Sequence, residues 1–159
     1  MLPQVRLLND MDEATWRALT VNLGGVTDTE LDWRPNPASN PIRWIVGHLA
    51  WFEEWAHDAI AGDGRYLSDK GPQSHAGHTF AVVWHRLEAA RARYQTRLAA
   101  LTEGDLARTV SYFRRESVTV LEHLQTHTLH LAGHRFQVRY IRGAYSRTFG
   151  KRKADFDPW

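Results

Sequence analysis

The sequence predicts an all-α fold, a four-helix bundle formed by a single domain over residues 1–159. Four segments carry apolar residues at the 3.6-residue period of a helix. Stretches rich in glycine, proline and capping residues separate them, and the last segment is about 24 residues long. A chain of 159 residues with this pattern is typical of one helical bundle.

The first helix is predicted over about residues 10–23. Asp10 is a candidate N-cap, and Glu13 three positions later completes a capping-box pattern. Gly24 and Gly25 favour a helix end. The following stretch, "TDTELDWRPNPASN", holds two prolines and several capping residues, so we expect a loop or a short turn there.

The second helix has the clearest start in the chain. Asn40 can cap it, and Pro41 suits its first position. It is predicted to end at Gly62 or Gly64. One wide face is apolar and aromatic, with His48 in its middle. The apolar members of that face are Trp44, Ile45, Trp51, Phe52 and Trp55.

A glycine-rich segment separates the second and third helices. Residues 62–78 hold four glycines and a proline, which predicts a long loop of the kind that is often functional. The third helix is predicted to begin near Thr79 and to run through "FAVVWHRLEAARARYQTRLAAL". This stretch has a helical apolar period and is rich in good helix formers.

The fourth helix is the longest of the predicted elements. A short extended piece is predicted before it, at "RTVSYF". Ser117 is the expected N-cap, and the helix is predicted to run from about Val118 to Ile141 or Arg142, with Gly143 as its C-cap. The long connections mean that helices adjacent in sequence need not be antiparallel neighbours in space.

The composition narrows the classes of function. The chain has no cysteine, which excludes disulfides, iron–sulfur clusters, thiolate zinc sites and a cysteine nucleophile. It also fits a cytoplasmic protein. No apolar run is long enough for a signal peptide or a membrane span, so we expect a soluble cytoplasmic protein with no membrane partner.

The charge distribution does not indicate a nucleic-acid partner. The net charge is +2, with a sequence pI near 9.1. Much of the basic charge lies in a C-terminal tail, about residues 143–159, but 18 acidic residues offset most of it and no dense basic patch stands out. We therefore interpret this tail as solvated or packed on a partner subunit.

Four histidines mark one face of the fourth helix. His123, His127, His130 and His134 stand at positions i, i+4, i+7 and i+11, within roughly 60° of one another around the helix. The stripe could be a metal site, a proton relay or a polar face. Two histidines four residues apart can bind one metal ion, and the stripe contains two such pairs.

A catalytic metal site needs at least a third protein ligand, and His48 is the best supplier. It is the polar residue in the middle of the aromatic face of the second helix. Taken alone, it fits a hydrogen-bonded core histidine. Opposite a helix with an HxxxH pair, it fits a ligand better, since three neutral histidines plus open positions are a catalytic ligand set. The histidines at 57, 75, 78 and 85 are interpreted as surface residues.

At these residues the chain resembles the DinB superfamily, which includes bacillithiol S-transferase-like and YfiT-like proteins. Three pieces carry the resemblance: "LDWRPNPASNPIRWIVGHLAWFEEW", "HLAGHRFQ", which is similar to the family's HxxxHRGQ box, and "YIRG". The stretch "WIVGHLAWFEE" is also similar to the iron-binding part of ergothioneine-synthesising sulfoxide synthases. That activity is set aside, because it needs a large second domain.

The resemblance implies a four-helix bundle in up-down-down-up order, often dimeric. It implies a divalent metal, zinc or nickel first and iron as the third candidate, held by His48, His130 and His134. One departure stands out: Phe136 replaces the glycine of the HRGQ box, which could narrow access to the metal or alter the packing beside it.

Three functions are open at this point. The first is an enzyme in which the metal activates a low-molecular-weight thiol that attacks an electrophilic substrate, as in thiol S-transferases. The second is a metal-dependent hydrolase or isomerase, and the third is a non-catalytic metal-binding protein of a stress response.

His127 is the candidate general base or neighbour of the ligands, and a histidine satisfied by nearby side chains is the alternative. Trp44, Trp51 and Trp55 could wall a pocket or belong to the core.

Overall fold

The predicted all-α class is confirmed by a computed structural model, which describes residues 1–62, 78–112 and 115–150. Four long helices form the body of the domain, and two short helices and one β-hairpin lie in the connections. The elements, in chain order, are α1 Pro3–Leu23, α2 Asp28–Asp32, α3 Ile42–Ala61, α4 Phe80–Ala99, α5 Glu103–Ala107, β1 Thr109–Tyr112, β2 Arg115–Thr119 and α6 Val120–Phe149.

Helices α1 and α6 run parallel to each other. Asp12 in the middle of α1 contacts His127 in the first half of α6. The backbone carbonyl of Asn22 at the end of α1 accepts from Arg142, fifteen residues further along α6 than His127. Contacts therefore advance in the same direction along both helices.

Helices α3 and α4 also run parallel to each other. Glu54 in α3 binds Arg86 near the start of α4, and the carbonyl of Ile60 accepts from Arg97 near its end. Parallel neighbours in sequence require a long connection, and residues 62–79 provide it.

The two helix pairs pack in opposite directions. His48 meets His134, whereas Glu53, later in α3, meets His127, earlier in α6. Together with the two parallel pairs, this antiparallel contact confirms the up-down-down-up order that the family resemblance implied. The arrangement places the middle of α3 directly opposite the histidine face of α6.

The core divides into two clusters of buried apolar residues at opposite ends of the bundle. Removing one large apolar side chain from water stabilises the fold by about 1.5–3 kcal/mol. One cluster includes Val5, Phe52, Trp55, Tyr94, Leu98 and Leu124. The other includes Leu19, Leu31, Ile45, Leu87, Leu131 and Val138.

Three predicted helix starts differ from the observed ones. Helix α1 begins at Pro3, well before Asp10, because proline suits the first turn of a helix. The N-cap of α3 is Pro41 rather than Asn40. Helix α6 begins after Thr119, whose hydroxyl and Glu122 form a capping box, while Ser117 lies in β2.

Other predicted boundaries are confirmed. Thr79 caps α4, its hydroxyl accepting from the backbone N–H of Val82. Gly62 ends α3 in the left-handed conformation, with φ 91°. The extended piece predicted at "RTVSYF" is present as β1, which pairs antiparallel with β2. The predicted loop after α1 contains the short helix α2.

The end of α6 is the largest correction. The helix continues through Gly143 to Phe149 and ends at Gly150, with φ 69°. Arg142 is buried there, and its guanidinium donates to Glu30 and to the backbone carbonyls of Asn22 and Gly24. These contacts hold α6 against α1 and α2. Their stabilisation outweighs the roughly 1 kcal/mol that a glycine costs inside a helix.

Part of the predicted tail is therefore helical. Residues 143–149 belong to α6, while residues 151–159 lie outside the described part of the chain. Most of the predicted long loop, residues 63–77, lies outside it as well. None of the helices in the described ranges has the length and apolar character needed to cross a membrane.

Candidate metal centre

Three histidines from two helices meet in the antiparallel contact between α3 and α6. α3 supplies His48, and α6 supplies His130 and His134, which lie about one turn apart on the same face. All three are partly buried, and each can offer a ring nitrogen within 4.8 Å of those of the other two. The structure thus brings together the three residues predicted as ligands, in a group that could hold a metal ion.

The spacing of the ring nitrogens fits a shared ion. The Nε2 atoms of His48 and His130 are 3.0 Å apart. Two nitrogens that each lie about 2.1 Å from one ion are separated by roughly 3.0–3.4 Å at octahedral to tetrahedral angles. The His134 ring lies 4.8 Å from that of His48 and 4.5 Å from that of His130, between centroids.

The environment keeps the three imidazoles neutral, which is the form that binds metals. Burial and the neighbouring imidazole of His134 lower the pKa of His48 to about 4. Burial and the adjacent histidines lower the pKa of His130 to about 2. Burial also lowers the pKa of His134, although its contact with Gln137 acts in the opposite direction.

A hydrogen bond orients His134. Its Nδ1 lies 2.8 Å from Oε1 of Gln137. Because an amide oxygen only accepts, Nδ1 carries the proton and donates, which leaves the Nε2 lone pair for a metal.

Aromatic rings hold the site from the α3 side. Phe52 stacks on His130 at 3.8 Å between centroids, and Trp44 stacks on His48 at 5.0 Å. Trp51 also lies near His48, at 5.7 Å between centroids. Trp55 is buried in the core instead, against Phe52. Of the three tryptophans considered for a pocket wall, two therefore flank the site and one is core.

His127, the predicted catalytic residue, lies in a buried ionic cluster one turn before His130. Its Nδ1 is 3.2 Å from Asp12, and its Nε2 is 3.1 Å from Glu53. Arg91 approaches Asp12 to 2.7 Å, Glu53 to 3.2 Å and the more exposed Glu13 to 2.7 Å. The cluster joins all four long helices, since its members come from α1, α3, α4 and α6.

The charges of this cluster stabilise each other. Burial alone would lower the pKa of His127, but the Glu53 and Asp12 carboxylates outweigh it and raise this pKa to about 9. Burial would raise the pKa of Asp12, but His127 and Arg91 outweigh it and lower that pKa. His127 is therefore an imidazolium at neutral pH that donates from both nitrogens. This geometry favours a histidine whose two nitrogens are paired with neighbouring carboxylates. The role of general base stays a prediction.

Sequence reasoning missed the partners of His127. Glu53 falls on the buried face of α3, beside Phe52 and Ala56, and Asp12 falls between the buried Val5 and Leu19 of α1. Charged residues in phase with an apolar helix face are the signal that could have identified them, because such residues are buried only when paired.

The other histidines within the described residues do not join the candidate site. His123 is buried against Trp55, so the His123–His127 pair is not the one that meets His48. His57 is half-buried and contacts Asp58, while His78 and His85 are exposed. The remaining histidine, at position 75, lies outside the described residues.

Phe136 lies on the outer side of α6. Two residues after His134 correspond to about 200° around the helix, and the Phe136 side chain is 56% exposed. The Arg135 guanidinium covers its ring at 4.6 Å. The expected narrowing of access to the metal is therefore not what this residue does.

Comparison with known proteins agrees with this architecture. The family model of the DinB superfamily matches residues 11–138. The crystal structure of a conserved protein from Enterococcus faecalis has a similar fold, with a TM-score of 0.73 and 16% sequence identity, over 91% of this chain and 98% of that one. At that identity the likeness shows the fold alone. The comparison with curated proteins found no match.

Proposed function

The chain belongs to the DinB superfamily, and on that premise we propose that it is a metal-dependent enzyme of the thiol S-transferase type. In this proposal His48, His130 and His134 hold a divalent ion, zinc or nickel first and iron third. The observation that carries it is the convergence of three neutral imidazoles, whose ligand nitrogens lie within 4.8 Å of one another. The family match, which covers most of the chain, agrees with such a site.

The histidine set leaves room for catalysis. A bound divalent ion would supply Lewis acidity and lower the pKa of a thiol or water beside it. Three imidazole ligands leave at least one coordination position for such a group. The chain has no cysteine, so the thiol of a transfer reaction would come from a small molecule, with an electrophile as its partner.

The chain's own residues orient this site. Gln137 sets the tautomer of His134, and Phe52 holds the ring of His130 by stacking. We propose His127 as a positioning residue, since its ionic contacts hold the segment of α6 that carries His130. A metal-dependent hydrolase or isomerase, or a non-catalytic metal-binding stress protein, would use the same ligands.

A conjugation assay decides among these functions. Metal-loaded protein is incubated with an electrophile such as monochlorobimane and with cysteine, glutathione or bacillithiol in turn. We expect the metal-loaded protein to accelerate the loss of at least one thiol, and the His48→Ala variant to show none of this acceleration. Cleavage of ester or amide substrates without thiol loss would favour the hydrolase, and metal uptake without turnover would favour the non-catalytic protein.

We also propose a homodimer formed through exposed apolar residues of α1 and α6. Leu129 and Phe136 lie seven residues apart on α6 and are 71% and 56% exposed. Leu7 and Met11 lie four residues apart on the parallel neighbour α1 and are 64% and 51% exposed. Exposed apolar stripes of this kind are typical of interaction surfaces.

Light scattering should give about twice the 18.3 kDa of one chain, and a Phe136→Glu variant should give the monomer mass.

A further inference from the structure

A cavity of about 180 Å³ adjoins the candidate metal centre through Gln137, which lines it and contacts His134. It is open to solvent on one side and is lined by the loop before α3, by the first turns of α3 and by α6. For comparison, cavities of about 150 Å³ in proteins bind molecules the size of benzene. Its lining includes Ser39, Asn40, Ile45, Gln137, Tyr140 and Ile141.

The lining selects an uncharged molecule. Ile45 and Ile141 provide an apolar floor, while Ser39, Asn40 and Tyr140 add groups that form hydrogen bonds. None of the described lining residues carries a charge. An ionised ligand would therefore find no ionic partner among these residues, whereas a molecule with an apolar body and one polar edge is matched.

Gln137 connects this cavity to the candidate metal centre. Its amide oxygen accepts from Nδ1 of His134 at 2.8 Å, and its side chain lines the cavity. A glutamine amide has two N–H donors besides that oxygen. These donors can serve a carbonyl-type acceptor on a ligand in the cavity. The His134 ring, whose Nε2 faces away from Gln137, separates such a ligand from the metal.

We propose that this cavity is a binding site for a small, uncharged molecule that carries a carbonyl-type acceptor, held through Gln137. The site goes beyond the proposed function, and its ligand is expected to bind whether or not a metal is present. A ligand acceptor that binds the N–H groups of Gln137 polarises its amide. The amide oxygen then accepts more strongly from Nδ1 of His134, which makes Nε2 of His134 a better metal ligand. By linkage, the ligand and the metal each raise the affinity for the other by the same factor. This coupling, unlike the site, rests on the proposed metal centre.

The test uses acetophenone as the probe, titrated into the metal-free full chain and followed by amide chemical shifts. We expect saturation with a dissociation constant of about 1 mM or lower. Ethylbenzene, which lacks the acceptor, and benzoate, which is charged, should each bind at least about tenfold more weakly. The proposal is overturned if acetophenone does not saturate, or if either analogue binds equally well.

Matched loop variants place the probe. Ser39→Phe fills the cavity and should abolish binding of acetophenone, while Ala38→Phe, at the exposed neighbouring position outside the lining, should not change it. Equal binding by both variants would overturn the site. If both variants melt at the same temperature as the parent, misfolding is excluded as the cause.

Cobalt-loaded protein tests the coupling separately. Acetophenone should change the visible absorption of bound Co²⁺ and bind at least about twofold more tightly than in the metal-free chain. In Gln137→Met, which lacks the amide, both changes should disappear. A change that persists in this variant contradicts the route through Gln137. If Co²⁺ does not bind at all, the metal proposal and the coupling fail together, and the metal-free titration still decides the cavity site.

Discussion

Replacing His130 with alanine is expected to abolish stoichiometric binding of a divalent metal. His130 is the inner member of the three ligands, with its Nε2 3.0 Å from that of His48. Two remaining histidines leave a site with too few protein ligands. Losing a residue that only hydrogen-bonds to a ligand lowers metal affinity by about 10- to 100-fold, so losing the ligand itself should lower the affinity for Zn²⁺ or Ni²⁺ by more than about 100-fold. Competition with a chromophoric chelator measures this directly.

A thermal measurement gives an independent readout of the same change. A metal at about 100 times its dissociation constant stabilises a folded protein by roughly 2.7 kcal/mol, so saturating Zn²⁺ should raise the melting temperature of the parent. It should not raise that of His130→Ala. His85→Ala is the matched control, since His85 is exposed on α4 away from the site, and it should keep full metal binding. Stoichiometric metal in purified His130→Ala would refute the assigned ligand set.

Replacing Arg91 with alanine should destabilise the fold by about 3–5 kcal/mol, the cost of breaking a buried ion pair on one side. Arg91 is 5% exposed and contacts the carboxylates of Asp12, Glu53 and Glu13. Without it, Asp12 and Glu53 share the single positive charge of His127. Urea unfolding of the metal-free chain measures the loss. Arg86→Ala is the matched control, since Arg86 pairs with Glu54 nearer the surface of the same helix pair, and it should cost about 0–1 kcal/mol.

The pH dependence identifies the charge state behind this effect. The pKa of His127 is raised to about 9, above its ordinary value of 6.5. Its contribution, about 3 kcal/mol at most, is therefore fully present below pH 6.5 and is lost as the pH rises through 9. The pKa of Asp12 is lowered, so its contribution is present above 3.8 and is lost in acid. A free energy of unfolding that stays constant between pH 6.5 and 9.5 would contradict a charged His127.

Helix periodicity carried much of the prediction of the candidate site. Residues four apart on a helix share a face whatever the rest of the fold does, so spacing alone predicted two pairs, His123–His127 and His130–His134, and the family resemblance implied the second. His48 was identified because one polar residue in the middle of an aromatic face needs a buried partner. The family resemblance then supplied the up-down-down-up order, which connection lengths alone left open.

Element ends were less predictable, because several capping residues compete in each connection. Ser117 and Thr119 are both suitable caps, and the choice fell to Thr119, which has Glu122 three residues later. Gly143 is a suitable helix end by composition, yet the helix continues through it. The contacts of Arg142 with Glu30 and Gly24 come from residues more than 100 positions away, which no local rule includes.

The sequence by itself determined the helical class, the histidine face of α6 and the choice of His48, because these depend on spacing along a helix and on the cost of burying polar groups. Only the tertiary structure decided the state of His127. Its two carboxylate partners lie 115 and 74 residues away in the chain, and their charges outweigh burial only because packing brings α1 and α3 to opposite sides of one imidazole. The same packing separates His127, which is charged, from His130, which is neutral, although both stand in one regular stripe.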